Sequence, residues 1–445
     1  MTGPTTTRIR LTRASLLALA LAPAIAAGAP LTIEDAIRSA WTRNLALRAS
    51  ASQVEAARAE AARARDARLP ALSLAARGVR TDEPMMAFGL KLDQGRIGAA
   101  DFDPARLNGP ASLGAFGGGV TFSVPIFMGG RLLAGQRAAG AAADAEGADH
   151  VRRRMEVAAG VVEAYFGAQA AEEGVRYAED LLAHAAETER FIRARNAQGL
   201  TLDADVARAS AFRAQAEAER AGALQRRSSA RSALALLSGD EAAGADLATP
   251  IAALPAPAGG GDGASTRPDL VAARLRRDAN AAGVTVARGA LLPAVFLQAS
   301  AETMRTSDLA HGASWTTLGV LARWDLSLAD ADSTRAAAAR ARAAADALAW
   351  REREAAREVP EARLAVETAG ARIRAGEEAV SASESARTLR AARHRQGLLP
   401  LTDVLDAEAG LAGARALLLA SRLEARLARA RLALALHQPI EGLLP

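Results

Sequence analysis

Cysteine is absent from the 445 residues. That excludes a disulfide scaffold, a thiolate zinc site, a cysteine nucleophile and acylation through an N-terminal cysteine. Aromatic residues are scarce, with nine Phe, four Trp and two Tyr. A globular enzyme core of this length normally carries more large rings. Alanine fills the gap, and Ala-rich sequence punctuated by Arg and Glu has the composition of long helices. His150, His184, His311, His394 and His437 are scattered with no i,i+4 pair, so no histidine metal motif is present. Lys91 is the only lysine, and the net charge of +5 is almost all arginine dispersed among Glu and Ala. That pattern reads as solvated helix faces rather than a nucleic-acid surface. Gly117-Gly118-Gly119 lacks the Lys and Ser/Thr of a phosphate loop, and neither G-x-S-x-G nor H-E-x-x-H occurs. The sequence therefore points away from an enzyme and calls for no cofactor or metal.

Residues 1–29 read as a cleavable secretory signal. Arg8, Arg10 and Arg13 precede a short apolar run over 15–22, and Ala24-Ile25-Ala26 fits a cleavage site. No later segment holds about 18 uncharged apolar residues in a row, the length a spanning helix needs. The exported chain is thus periplasmic, secreted or inserted as a β-barrel.

The chain repeats itself. Arg65, Ala67, Leu69, Pro70, Ala71 and Leu74 recur as Arg288, Ala290, Leu292, Pro293, Ala294 and Leu297. Gly119-Val120 recurs as Gly319-Val320, Gln198-Gly199-Leu200 as Gln396-Gly397-Leu398, and Asp205-Val206 as Asp403-Val404. The spacings of 223, 200 and 198 mean that the first copy carries about 23 extra residues between Pro70 and Gly119. The expected organisation is a first repeat over 30–247, a Pro/Gly/Ala linker over 248–266 and a second repeat over 267–445. Each repeat reads as helix, strand hairpin, very long helix, turn and long helix. In the first, a helix spans 31–67, strands span 70–80 and 119–127 within a hairpin over 70–127, and helices span 132–196 and 202–237. In the second the same elements fall at 268–290, 293–303 and 315–328 (hairpin 293–328), 333–395 and 401–437.

Helices of about 65 residues are about 100 Å long, which implies a coiled-coil setting. In the last helix, Val404, Leu411, Leu418, Ala425 and Leu432 repeat as a positions, with Ala407, Ala414, Ser421, Ala428 and Ala435 as d. A second seam, with Gly413, Ala420, Leu427 and Leu434 at c and Ala409, Ala416, Leu423 and Ala430 at f, lies on nearly the opposite side. Opposite seams give a helix a neighbour on each side, as in the wall of a tube. The strands alternate: Val120, Phe122, Val124 and Ile126 oppose Thr121 and Ser123, and Leu318, Val320 and Ala322 share a face that continues through Trp324, Leu326 and Leu328. One apolar and one polar face suits a water-filled barrel in lipid. Four strands cannot close such a barrel, because about eight is the minimum, so several chains must share one.

These features resemble the TolC-like outer-membrane efflux protein family over the mature length. The resemblance rests on Leu31-Thr32-Ile33-Glu34-Asp35-Ala36, on Val124-Pro125-Ile126-Phe127-Met128-Gly129-Gly130-Arg131, on Arg267-Pro268-Asp269-Leu270, and most strongly on Gln396-Gly397 followed by Leu401-Thr402-Asp403-Val404-Leu405-Asp406-Ala407-Glu408. It implies a mostly α fold with a small β part. The β-barrel lies in outer-membrane lipid, is shared within a homotrimer, and continues into a periplasmic coiled-coil barrel. It also implies docking, through a periplasmic adaptor protein, on an inner-membrane pump driven by protons or ATP. The function so implied is the exit duct of a tripartite efflux or type I secretion system; the alternative is a periplasmic coiled-coil adaptor without a channel.

The resemblance places Asp403 and Asp406, with Asp205 in the first repeat, at the acidic positions that narrow the periplasmic end of the tunnel. Read from the residues alone, they are helix-start charges favoured by the macrodipole. Gly199-Leu200 and Gly397-Leu398 fall at turns that need positive φ, and the family uses these tips for adaptor contact. His394 and Leu399 stand where family members can carry a Tyr and an Arg that latch the tip shut.

Overall fold

The computed structural model describes residues 30–254 and 266–443. The expected signal at 1–29 lies outside the described residues. The first expected helix is broken in two, α1 (Ile33–Arg43) and α2 (Leu45–Asp66). Asn44 is the cause. Its side-chain oxygen accepts from the Ala46 and Leu47 amides, starting a new helix, while its own N–H closes α1 on Ala40. Local capping by Asn thus wins over continuation.

The strands are β1 (Ala71–Thr81), β2 (Leu113–Met128), β3 (Ala294–Thr306) and β4 (Gly312–Arg323), paired antiparallel in the order β1-β2-β3-β4. β2 starts six residues before the expected Gly119. Three successive glycines read as a loop in sequence, yet Gly117 and Gly119 sit where a Cβ would approach the Met304 and Glu302 side chains to 2.8 Å. Glycine here makes room for neighbours on the face of a paired strand. β4 ends at Arg323, short of the expected 328, because Arg323 pairs with Ala294, the first residue of β3 after Pro293. Beyond it β3 gives way to Pro293, which has no N–H to pair, and the Trp324 indole donates instead to the Leu291 carbonyl at 3.0 Å. Between β1 and β2 the chain is not a simple hairpin loop; it folds into α3 (Pro84–Asp93), a 3-10 turn over 99–102 and α4 (Pro104–Asn108).

Two very long helices, α5 (Arg131–Asn196) and α8 (Leu328–Arg395), are each followed by a shorter return helix, α6 (Asp203–Ser238) and α9 (Leu401–Ala435). With α7 (Pro268–Gly289) completing the set, α5 packs against α6 on one flank and α9 on the other, and α9 packs against α8. The helical wall therefore runs α6-α5-α9-α8, and nearer the sheet α2-α5-α7-α8. The a and d residues of α9 are buried except for the half-buried Ala414. The second seam is more open, with Gly413, Ala416 and Ala420 lining a cavity of about 720 Å³ between α5, α6 and α9.

The core lies where the repeats meet at mid-length, around Ile33, Ile37, Val161, Val162, Phe166 and Leu234. Tyr165 donates to the Leu31 carbonyl at 2.7 Å and accepts from the Thr249 amide at 2.9 Å. Leu31 forms a parallel bridge with Leu247. The first part of the stretch read as a linker is thus fixed on the core. Arg426, 1 % exposed, holds it there. Its guanidinium donates to the carbonyls of Pro250, Ile251 and Ala253, pairs with Glu441 at 3.2 Å and stacks over Phe166 at 4.0 Å. Burial pushes the Glu441 carboxyl up and the Arg426 guanidinium down, against their mutual attraction. The pair is therefore a fastener rather than a large net source of stability. Arg426→Met leaves a buried carboxylate and three carbonyls unpaired, and is expected to cost about 3–5 kcal/mol. Thermal melting followed by helical circular dichroism reads this out. Glu441→Gln added to Arg426→Met should recover part of the loss, and equal melting of wild type and Arg426→Met would contradict the fastener.

Candidate functional site at the paired helical tips

The two helix-turn-helix tips are built alike. At the first, the Gly199 amide bonds to the Asn196 carbonyl at 2.8 Å and the Leu200 amide to the Arg195 carbonyl at 2.9 Å. At the second, Gly397 bonds to His394 at 2.9 Å and Leu398 to Arg393 at 3.0 Å. This is the Schellman arrangement, and it requires the left-handed residue that both glycines supply, with φ of +74° and +76°. Each tip therefore turns on one glycine and leaves a leucine outside: Leu200 and Leu398 are 59 % and 68 % exposed. The tips are joined by a small apolar cluster of Ile192, Ala209, Leu401 and Leu405.

Asp403 and Asp406 lie one turn apart at the start of α9. Asp403 is half-buried and Asp406 exposed, and among the described residues neither carboxylate forms an ion pair. The Arg390 guanidinium instead donates to the Asp403 backbone carbonyl at 3.4 Å. Asp205 occupies the matching place on α6, on the opposite flank of α5. Its neighbour Asp203 accepts from the Asn196 side chain at 3.1 Å and serves the turn.

His394 and Leu399 are brought together within one turn. The imidazole Nδ1 donates to the Leu399 carbonyl at 2.8 Å, and the ring stands edge-on to Phe191 at 6.1 Å. The contact ties the second tip to itself and, through Phe191, to α5. Beside it a cavity of about 150 Å³ is lined by His184, Glu187, Arg387, His394 and Glu408. Arg387 donates to His184 Nε2 at 2.9 Å and faces the Glu408 carboxylate at 3.6 Å. A guanidinium has no acceptor, so the imidazole nitrogen accepts.

The sequence reading missed this cluster. Its signal is Glu408, which falls on the stripe Leu401, Val404, Leu405, Leu411 that α9 buries. Burial pushes the Glu408 carboxyl up, more than Arg387, His184 and Arg415 pull it down. A raised folded-state value means that this group's contribution is intact at low pH and is lost as pH rises through that value. Glu408→Gln should therefore melt like wild type near pH 4 and higher than wild type near pH 7.5, a window set by the ordinary carboxyl value. A gain that shrinks toward neutral pH would contradict the assignment.

A family model described as outer membrane efflux protein matches residues 36–240 and 263–437, one stretch for each repeat. Comparison with curated proteins found no match. Among solved structures, a membrane protein from Pseudomonas aeruginosa is 24% identical, with a TM-score of 0.79 over 91% of this chain and 93% of that one. The outer membrane protein VceC of Vibrio cholerae is 22% identical, with a TM-score of 0.76 over 92% and 96%. The CmeC outer membrane channel of Campylobacter jejuni is 17% identical, with a TM-score of 0.81 over 91% and 85%. These likenesses carry the fold: a long-helix wall below a four-stranded sheet, in two repeats. The family is one of channel proteins and not of enzymes. Because the family match spans both repeats and most of the sequence, the chain belongs to the outer membrane efflux protein family.

Proposed function

We propose that three copies assemble into a duct that carries substrates from an inner-membrane pump across the periplasm and the outer membrane, in a tripartite efflux or type I secretion assembly. The observation that carries this is the pair of open edges on each protomer. On one side run β1, α2 and α6; on the other run β4 and α8. Leu72 and Leu74 on β1, Leu318 and Val320 on β4, Leu236 on α6 and Leu364 on α8 are all exposed in the single chain. Joining β4 and α8 of one copy to β1 and α6 of the next satisfies the sheet edges and covers apolar helix flanks in one step. Three copies close twelve strands, within the range of membrane barrels, and two would give eight.

The tips are the end away from the sheet and so point into the periplasm. The exposed Leu200 and Leu398, each beside its turn glycine, offer an adaptor two similar apolar knobs per protomer. Asp403 and Asp406 form two acidic rings one helical turn apart at the duct mouth, with Asp205 adding charge from α6. His394 braces the second tip in place of a Tyr–Arg latch.

Two measurements test this reading. The detergent-solubilised protein should have the mass of a trimer, and a monodisperse monomer would reject the shared barrel. In planar bilayers the duct should prefer cations and be blocked from the tip side by a trivalent cation such as hexamminecobalt. Asp403→Ala with Asp406→Ala should weaken that block roughly tenfold without loss of the trimer, since the rings concentrate the field. Equal block in both proteins leaves these aspartates as helix-start charges.

A further inference from the structure

The long helices join the sheet at Ala71, Met128, Ala294 and Arg323, so the opposite end, at Thr81, Leu113, Thr306 and Gly312, is the outer mouth of the barrel. The two connections at that mouth are unequal. The turn between β3 and β4 is short, whereas residues 82–112 between β1 and β2 form a folded insertion.

Register identifies the face on which the insertion lies. Leu72, Phe122, Ala299 and Leu318 are cross-strand neighbours on one face; Ser73, Thr121, Ser300 and Thr317 are neighbours on the other. The first face suits lipid and the second water. Ala87 and Leu90 of α3 are buried, as is Gln94 at its C-cap. Leu90 clusters with Ala115 and Met304, against Val79 and Trp315. All four sheet residues share the parity of the Ser/Thr row. The helix therefore rests on the water face, inside the mouth rather than beside or above it.

It is also fastened there. Gln94, 2 % exposed, donates to the Arg305 carbonyl at 3.4 Å. Lys91, the only lysine, pairs with Asp101 at 2.6 Å, and Asp101 accepts from the Gly98 amide at 2.9 Å. Phe88 and Phe102 meet edge-to-face at 5.8 Å.

At 100° per residue, Met85 and Leu92 project opposite the buried Ala87–Leu90–Gln94 stripe. They are 77 % and 52 % exposed. Twelve strands spaced by about 4.8 Å and tilted by about 40° enclose a backbone diameter of about 24 Å. A helix with its side chains is about 10 Å across, so three of them against the wall leave only a few ångströms at the axis.

On the channel reading above, we propose that the β1–β2 insertion is an outer constriction of the duct. Three α3 helices narrow the barrel mouth, and Met85 and Leu92 of each copy form the apolar ring that limits what passes. A ring of thioether and aliphatic side chains resists wetting and excludes hydrated solutes until the helices part.

The absence of cysteine allows a test that does not depend on the state of the periplasmic tip. Ser300→Cys places one thiol on the water face below the insertion, and intact cells are treated from outside with a small maleimide and with a bulky polymer-linked one. The small reagent should label Ser300→Cys in every background. The bulky one should label it several-fold faster when residues 84–108 are replaced by a short Gly-Ser turn. It should also do so when Met85→Ala and Leu92→Ala are combined, a pair that keeps the buried stripe and hence the fold of the insertion. Equal rates for the bulky reagent in the parent and the Met85→Ala, Leu92→Ala background overturn the constriction while leaving the channel intact. A thiol that the small reagent cannot reach even in the shortened variant overturns the water-filled barrel and the constriction together.

Discussion

An unpaired strand edge in hydrocarbon is the constraint on which the rest of this molecule depends. Backbone N–H and C=O groups on β1 and β4 have no water to turn to inside a bilayer, and each unsatisfied group costs several kcal/mol. Four strands cannot wrap onto themselves, so the edges demand other copies. The helices obey the same geometry below the membrane. The order α6-α5-α9-α8 ends, like the sheet, on two uncovered flanks, and α8 buries only Leu348, Ala355, Ala369 and Gly376 within its own chain. A helix of 68 residues with so little burial is not stable by propensity alone and is completed by packing against a neighbour.

Alanine is what makes a wall one helix thick possible. A helix in a globular core buries one broad stripe, whereas α9 must meet α8 on one side and α5 on the other. Small residues on both seams let backbones approach without the bulk that would open gaps between staves. The large side chains are spent at mid-length, where Tyr165, Phe166 and Ile37 gather the ends of the two repeats, and at the sheet. Arg426 acts at the same level: one buried cation collects three carbonyls from a segment that has no regular structure to satisfy them.

Much of this was legible in the sequence because it depends on period. The duplication, the long helices, the a and d seam of α9 and the alternation along β2 follow from spacing alone. What was not legible depends on contacts between distant residues. Gly117 to Gly119 carry the signature of a loop, and only Met304 and Glu302 crossing over them explain why a strand runs there. Trp324 to Leu328 continue the alternation of β4, but alternation cannot reveal that β3 begins at Ala294 and leaves them unpaired. At the tips the glycines and aspartates could be placed by repeat and resemblance. The Arg387, His184 and Glu408 cluster could not, since His184 lies 203 residues from Arg387, and the bond from His394 to Leu399, though local, depends on how the second tip turns. Glu408 on a buried stripe was the one local irregularity that pointed there.

The two ends of the protomer answer one problem with opposite chemistry. A turn between antiparallel elements is where a repeat protein can vary without disturbing its wall, because the flanking staves are already satisfied. At the helical end both turns stay minimal, a glycine and an exposed leucine each, and Asp403 and Asp406 follow at the start of α9. At the strand end one turn is minimal and the other has grown into α3 and α4, with its own ion pair and ring contact. On the proposed assembly, threefold repetition turns the first into carboxylate rings and the second into an apolar one. A charged ring stays wet and sorts by sign; an apolar ring sorts by size and hydration. Placed about 100 Å or more apart along helices of this length, the two are electrostatically independent, being many Debye lengths from each other. Any coupling between them must therefore travel through the packed wall itself, by way of the mid-length core where α1, α5 and α9 meet the segment that Arg426 holds.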